Sequence, residues 1–366
     1  MSPPPLARPL ERLSLAGTLG VVAPHVPAAL VPATEWARLG RAAAALPAAL
    51  TRAAYLECRL AEGPAPVDLI VRVERDGAAL LAGMNPAARL SPRLRGDPAW
   101  RAVAALCAGW LAGGSPADRL VSHLWLEFDL APDEPGSIPR PSVFAGLTAD
   151  AAAGLADEDA AALLDWLGGT VSGGLGAETR SAALALLARG TPALRVPYVG
   201  VMAAREVPAV RVYYRGPGTA QVASTLAAAG WPGPAEVLAG AMGDLARVPG
   251  APPVGMMHVD VAGEPLPRAG VEFLLSRQPQ LHGRLAERAF VDQLVEMGLC
   301  APARRDGLLA WPGARRCTLP HELWESVMVR RVNCVKLVSG PGGLEAKGYL
   351  LAFQLPAPAP RRPSLP

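Results

Sequence analysis

Polar and apolar residues alternate along ten short stretches of this chain, and the stretches come in pairs. In 54–60, Tyr55, Glu57 and Arg59 fall on one face and Leu56, Cys58 and Leu60 on the other. In 67–74, Asp68, Arg72 and Glu74 oppose Val67, Leu69, Val71 and Val73. In 120–130, His123, Trp125, Glu127 and Asp129 oppose Leu124, Leu126, Phe128 and Leu130. The pattern recurs with Arg211, Tyr213 and Arg215, then His258 and Asp260, and then Glu345, Lys347 and Tyr349. Successive strand side chains face opposite ways, so each stretch predicts a strand with one apolar and one polar face. The predicted pairs are 54–60 with 67–74, 120–130 with 141–147, 197–203 with 209–215, 256–261 with 269–276, and 331–338 with 344–353. Gly- and Pro-bearing turns join the members of most pairs, which reads as five hairpins.

Helical periodicity fills the intervals, at 36–53, 98–111, 157–167, 177–188, 220–229, 234–245, 281–297 and 320–329. Asp97 before Pro98 is an N-cap signal. The chain therefore predicts an α+β fold of five αββα repeats. The repeat is architectural only, because the units share little sequence. Amphipathic helices must cover the apolar face of such a sheet. The polar face can look onto solvent from an open sheet. Closure into a ten-stranded antiparallel barrel instead removes both long edges and turns that face into a lumen. The expected domain layout is an N-terminal extension over 1–33, one domain over 34–355, and an unstructured Pro-rich tail over 356–366.

Composition narrows the function. The chain has 366 residues, a formal charge of +3 and 51% hydrophobic residues. Its pI near 8.7 comes without any Lys/Arg run, which argues against nucleic acid as partner. The apolar stretch 14–32 is broken by Pro24, Pro27, Pro32 and His25, so no membrane span is expected, and no clean cleavage site follows it. The five cysteines have no CxxC spacing and read as free thiols of a reducing, cytoplasmic compartment. Cys334, on the face of Lys336, is the one whose thiol that neighbour would acidify, with an inert buried thiol as the alternative. The glycine-rich 168–176 lacks a P-loop lysine and reads as a connector. His321 reads as a helix start, and a metal site of His123, His258 and Asp260 is a further possibility across neighbouring strands.

Only two residues are Lys, Lys336 and Lys347, and they lie eleven positions apart. With a four-residue turn over 340–343, the two would sit opposite each other on adjacent strands. Both belong to the polar face, as do the triplets Arg211-Val-Tyr213 and Lys347-Gly-Tyr349.

This architecture resembles the ABBA, or PT-barrel, aromatic prenyltransferases over roughly residues 35–355. Arg/Lys-x-Tyr triplets on lumenal strands are a mark of that family, and Glu57 and Arg72 stand where its indole-prenylating branch has a Glu and an Arg. The resemblance implies transfer of a prenyl group from dimethylallyl or geranyl diphosphate to an aromatic or peptide acceptor in secondary metabolism. Arg72, Arg211, Lys336 and Lys347 would hold the diphosphate. Tyr213, Tyr349 and Trp125 would shield the allylic cation. Glu57 or Glu127 would engage the acceptor. No DDxxD motif is present, so no metal cofactor is expected. Two features depart from the family pattern: Glu272 on the fourth pair, and the absence of such a triplet in 141–147. The proposed lumenal acids also equal or outnumber the bases. The alternative is therefore a non-catalytic barrel that binds a small molecule or peptide.

Overall fold

A computed structural model describes residues 14–64, 66–85, 90–130, 140–216, 218–275, 281–320 and 322–357, the side chains of 281–286 excepted. Eleven strands form one antiparallel sheet: β1 (Ala53–Arg59), β2 (Val67–Val73), β3 (Val121–Phe128), β4 (Ser142–Leu147), β5 (Arg195–Val201), β6 (Val210–Arg215), β7 (Val254–Ala262), β8 (Glu264–Leu274), β9 (Gly313–Thr318), β10 (Glu325–Gly340) and β11 (Gly343–Pro356). Neighbours run in chain order from β1 to β8, then β10 and β11. β11 pairs back onto β1, from Ala53↔Phe353 to Arg59↔Lys347. The ten strands thus close into a barrel, and the open-sheet alternative does not hold. A closed ring leaves no barrel edge whose backbone groups lack partners.

Helices ring the barrel, and the outward strand residues join their apolar faces in one core. Leu56, Val71, Leu126, Val212 and Val259 share that core with Trp100, Trp110, Leu163 and Met242 of the helices. The helix Pro98–Leu111 starts as its sequence predicts, with the Asp97 carboxylate accepting from the N–H groups of Ala99 and Trp100. The helix Leu15–Val22 buries Leu15, Leu19 and Val22 against the same core. None of the described helices is long and apolar enough to cross a membrane.

One expectation is corrected. The helix predicted over 320–329 is absent, because residues from Glu325 onward are strand, and the six-residue β9 pairs with them. The Ser326–Arg331 segment, with Val327 and Val329, is held as strand by pairing with β9 on one side and β11 on the other. The hairpin turn is the four-residue turn expected over 340–343. Gly340 pairs with Gly343, which leaves Pro341 and Gly342 at the tip and puts Gly343 at φ 97°. The register follows from this turn, and Lys336 does lie opposite Lys347. His321 and the chain beyond Ala357 lie outside the described residues, as do 1–13.

Glycines on the inward face shape the lumen. Gly146, Gly200 and Gly270 are the cross-strand partners of His123, Phe144 and His258. A Cβ at these glycines would lie 2.4, 1.9 and 2.2 Å from the respective rings. Each ring therefore lies flat across the next strand instead of filling the lumen's centre.

Candidate functional site

The inward residues line two adjoining chambers. One has a volume of about 300 Å³ and is walled by aromatic side chains: Tyr55, Trp125, Phe144, Tyr198, Tyr213 and Tyr349. Their rings meet edge to face, Tyr55 with Trp125 at 5.1 Å, Tyr198 with Tyr213 at 5.8 Å and Phe144 with Tyr213 at 6.2 Å between centroids. Of the chain's five tyrosines only Tyr214 points outward, donating to the Leu186 carbonyl. Arg72 and Arg215 line this chamber too, Arg72 with its guanidinium 5.7 Å from the Trp125 ring centre.

The second chamber, of about 590 Å³, is polar. Arg59, Arg205, Arg211, Arg268, Lys336 and Lys347 line it, together with Glu57, Asp68, Glu127, Asp129 and His258. Glu127 borders both chambers.

Lys336 stands at the seam. Its Nζ donates to the hydroxyls of Tyr213 (3.3 Å) and Tyr349 (3.4 Å) and lies 3.4 Å from the Glu272 carboxylate. It sits 5.3 and 5.6 Å from the two ring centres. Burial works against this ammonium, but Tyr213 and Glu272 hold its pKa above the ordinary value, so it is charged. Beside it, Lys347 and the Tyr349 hydroxyl both donate to Glu57. Burial alone would raise the Glu57 pKa; Lys347 and Lys336 hold it well below the carboxylate range. Arg211 makes two parallel hydrogen bonds to Asp260, at 2.6 and 2.9 Å, both residues being buried. Arg205 reaches Asp129 at 3.1 Å, and Arg268 reaches Glu345 at 2.8 Å.

Two other carboxyls behave differently. Burial pushes Glu127 up to about 7, with Arg211 opposing and Glu57 and Asp129 adding to the rise. Asp68 rises to about 6, through burial and then Glu57 and Asp129. Cys334 lines the aromatic chamber, and burial, with Glu272 adding to it, raises its thiol pKa well above the ordinary value and outweighs the lowering by Lys336, so the thiol is not acidified.

The structure thus brings together Glu57, Glu127, Arg211, Lys336, Lys347, Tyr213 and Tyr349. Arg72 stands apart from the other three bases, in the aromatic chamber, and pairs with Glu74 at 2.8 Å. Glu74 itself is exposed and precedes the helix Arg75–Leu81 rather than facing the lumen. His123 and His258 lie on β3 and β7, which are not neighbours, and Asp260 is taken up by Arg211. Among the described residues no three His, Cys, Asp or Glu side chains are grouped to hold a metal ion. Tyr198, Phe144, Arg205 and Arg268 join the site without having been singled out from sequence. Strand phase with Gly200 would have found Tyr198 and, across the pair, Phe144, and phase with Gly270 would have found Arg268; Arg205 lies in the loop between β5 and β6, where no phase applies.

No protein-family model and no curated protein matches the sequence. Solved structures do match in fold. A 5-dimethylallyltryptophan synthase from Streptomyces coelicolor superposes with a TM-score of 0.53 at 15% identity, covering 93% of this chain and 97% of that one. The chain has the PT-barrel fold. A 6-dimethylallyltryptophan synthase from Micromonospora olivasterospora, in complex with DMASPP and Trp, gives 0.51 at 13% identity, over 92% and 95% of the two chains. The PT barrel accounts for the hairpin order and for the lumen.

Proposed function

We propose that this protein is an aromatic prenyltransferase that uses dimethylallyl diphosphate. The observation that carries the reading is the meeting of an aromatic chamber and a polar, cation-bearing chamber at Lys336, flanked by Tyr213 and Tyr349. The diphosphate belongs in the polar chamber near Lys336, Lys347 and Arg211, and the acceptor belongs among the rings. A chamber of about 300 Å³ lies at the small end of ligand pockets, which favours a five-carbon over a geranyl donor. The fold neighbours are named as dimethylallyltryptophan synthases, which supports tryptophan or an indole as acceptor. Arg72 and Arg215 then serve an acceptor carboxylate.

In the reaction the C1–O bond of the donor breaks and diphosphate leaves with the electron pair. Lys336, Lys347 and Arg211 stabilise that leaving charge. The faces of Tyr213, Tyr349 and Trp125 stabilise the allylic cation and keep water away. The acceptor ring forms the new C–C bond and then loses its proton. Glu127 is the better base, because it borders both chambers and its pKa near 7 suits proton exchange. Glu57 orients Lys347 and Tyr349 instead.

One observation favours a second reading, a barrel that binds a small molecule or peptide unchanged. Lys336, Lys347 and Arg211 each already hold an acid, namely Glu272, Glu57 and Asp260. Incubation with dimethylallyl diphosphate and a panel of indoles, tryptophan and Trp-containing peptides, read by mass spectrometry, separates the two. Transfer adds one C5H8 to the acceptor and releases pyrophosphate. Recovery of every acceptor unchanged favours the binding barrel. A paired substitution, Lys336→Met with Glu272→Gln, avoids leaving a buried charge alone. It is expected to lower turnover about 10²–10³-fold without lowering the melting temperature.

A further inference from the structure

His258 is unused by the reaction outlined above, yet it lines the polar chamber and is 1% exposed. Neither ring nitrogen makes a hydrogen bond. A buried polar group without a partner is uncommon and destabilising, so its retention calls for a reason. The ring is deliberately seated. It packs at 5.2 Å against Tyr213 and lies flat over Gly270, where a Cβ would stand 2.2 Å from Cε1 and 2.8 Å from Nδ1. Its cross-strand partners on β6 and β8 are those same two residues.

The groups that act on it are four cations, Lys336, Arg211, Arg268 and Arg205, and together with burial they keep the imidazole neutral. A neutral imidazole always carries one N–H. Among those cations it adds a donor without adding repulsion, and the positive field at its position suits an anion. The acids nearby are already engaged: Asp260 accepts from Arg211 and Glu272 pairs with Lys336.

We propose that His258 is an anion-binding residue of the polar chamber, whose ring N–H donates to a non-bridging oxygen of a bound diphosphate. This rests on the reading of that chamber as the diphosphate site. It extends that reading by assigning a neutral donor beside the lysines and arginines.

Calorimetry with inorganic pyrophosphate tests it on the wild type, on His258→Phe and on His258→Gln. Phenylalanine keeps the ring over Gly270 and removes both nitrogens; glutamine keeps an N–H donor. Binding is expected to weaken tenfold or more in His258→Phe and to recover in part in His258→Gln. Equal affinity in the wild type and His258→Phe overturns this inference alone. Absence of binding to the wild type overturns the diphosphate reading and this inference with it. Should His258→Phe fail to fold, imidazole ¹⁵N NMR of the wild type decides. The His258 resonances, identified by their loss in His258→Gln, must move on adding pyrophosphate while those of His25 stay in place. A His258 signal that stays still overturns the inference.

Discussion

At the scale of single residues the lumen is set by which buried groups hold a proton. Glu127 has an ordinary pKa of 4.5 and reaches about 7 when folded, so the folded state holds its proton more tightly than the unfolded chain. Stability is therefore lost as pH rises through this interval. Glutamine copies the protonated acid. Glu127→Gln is expected to melt close to the wild type at pH 5 and to be more stable by ~1–3 kcal/mol at pH 8.5. A difference that does not grow with pH, followed by thermal melts, would count against the buried proton. Glu57 has the opposite sign, since Lys347 and Lys336 lower its pKa; its contribution is present above the carboxylate range and is lost on acidification. The inward glycines give a second prediction. A Cβ at Gly200 would lie 1.9 Å from the Phe144 ring, so Gly200→Ala should cost about 1–3 kcal/mol. Adding Phe144→Ala should recover part of that loss, and a strictly additive double-mutant cycle would show that the two do not touch.

At the scale of elements the barrel proper and its ribbon differ. Beyond its pairing with β1, β11 continues as Gln354–Pro356, which pair with Ser326–Met328 of β10 as a ribbon, and β9 pairs only with β10. Strands β1 to β8 are each held on both sides by neighbours. Amide hydrogen exchange should therefore be fastest, among the strands, in β9, and slowest in β2, β3 and β7. Protection of β9 equal to that of β3 would mean that its open side is covered. Hairpins were legible in the sequence because alternation is local, and Asp97 marked its helix because capping is local too. The ribbon was not. Its arginine-rich β9, Ala314-Arg-Arg-Cys, carries no apolar alternation, since its polar side chains are half-buried at most. The segment from Glu325 was read as helix because its strand character depends on pairing with β9 and β11 rather than on its own pattern.

At the scale of the whole molecule, closure concentrates charge. The cations of the polar chamber face acids, and the balance decides what the chamber accepts. Glu272→Gln releases Lys336 from its partner. If the chamber takes an anion, this change should tighten pyrophosphate binding about 3–10-fold, by removal of a like charge. If the chamber takes a cationic ligand, Glu272→Gln weakens binding of that ligand and leaves pyrophosphate unbound. The same titration thus separates a chamber for anions from a chamber for cations without a turnover assay.

Alternation by itself determined which residues of β1, β2, β3 and β6 share a face, and the spacing of Gly340 and Gly343 determined that Lys336 lies opposite Lys347. Both follow from the two-residue period of a strand, which a chain carries in its own order. Closure was decided elsewhere, by hydrogen bonds between β1 and β11, nearly three hundred residues apart. So was the grouping of Lys336 with Tyr213, and of Glu57 with Tyr349. The division into an aromatic and a polar chamber, the pairing of each key cation with an acid, and the seating of His258 over Gly270 all arise from contacts across the lumen. Such contacts depend on the tilt and stagger of ten strands, a property of the closed ring that no single stretch of sequence contains.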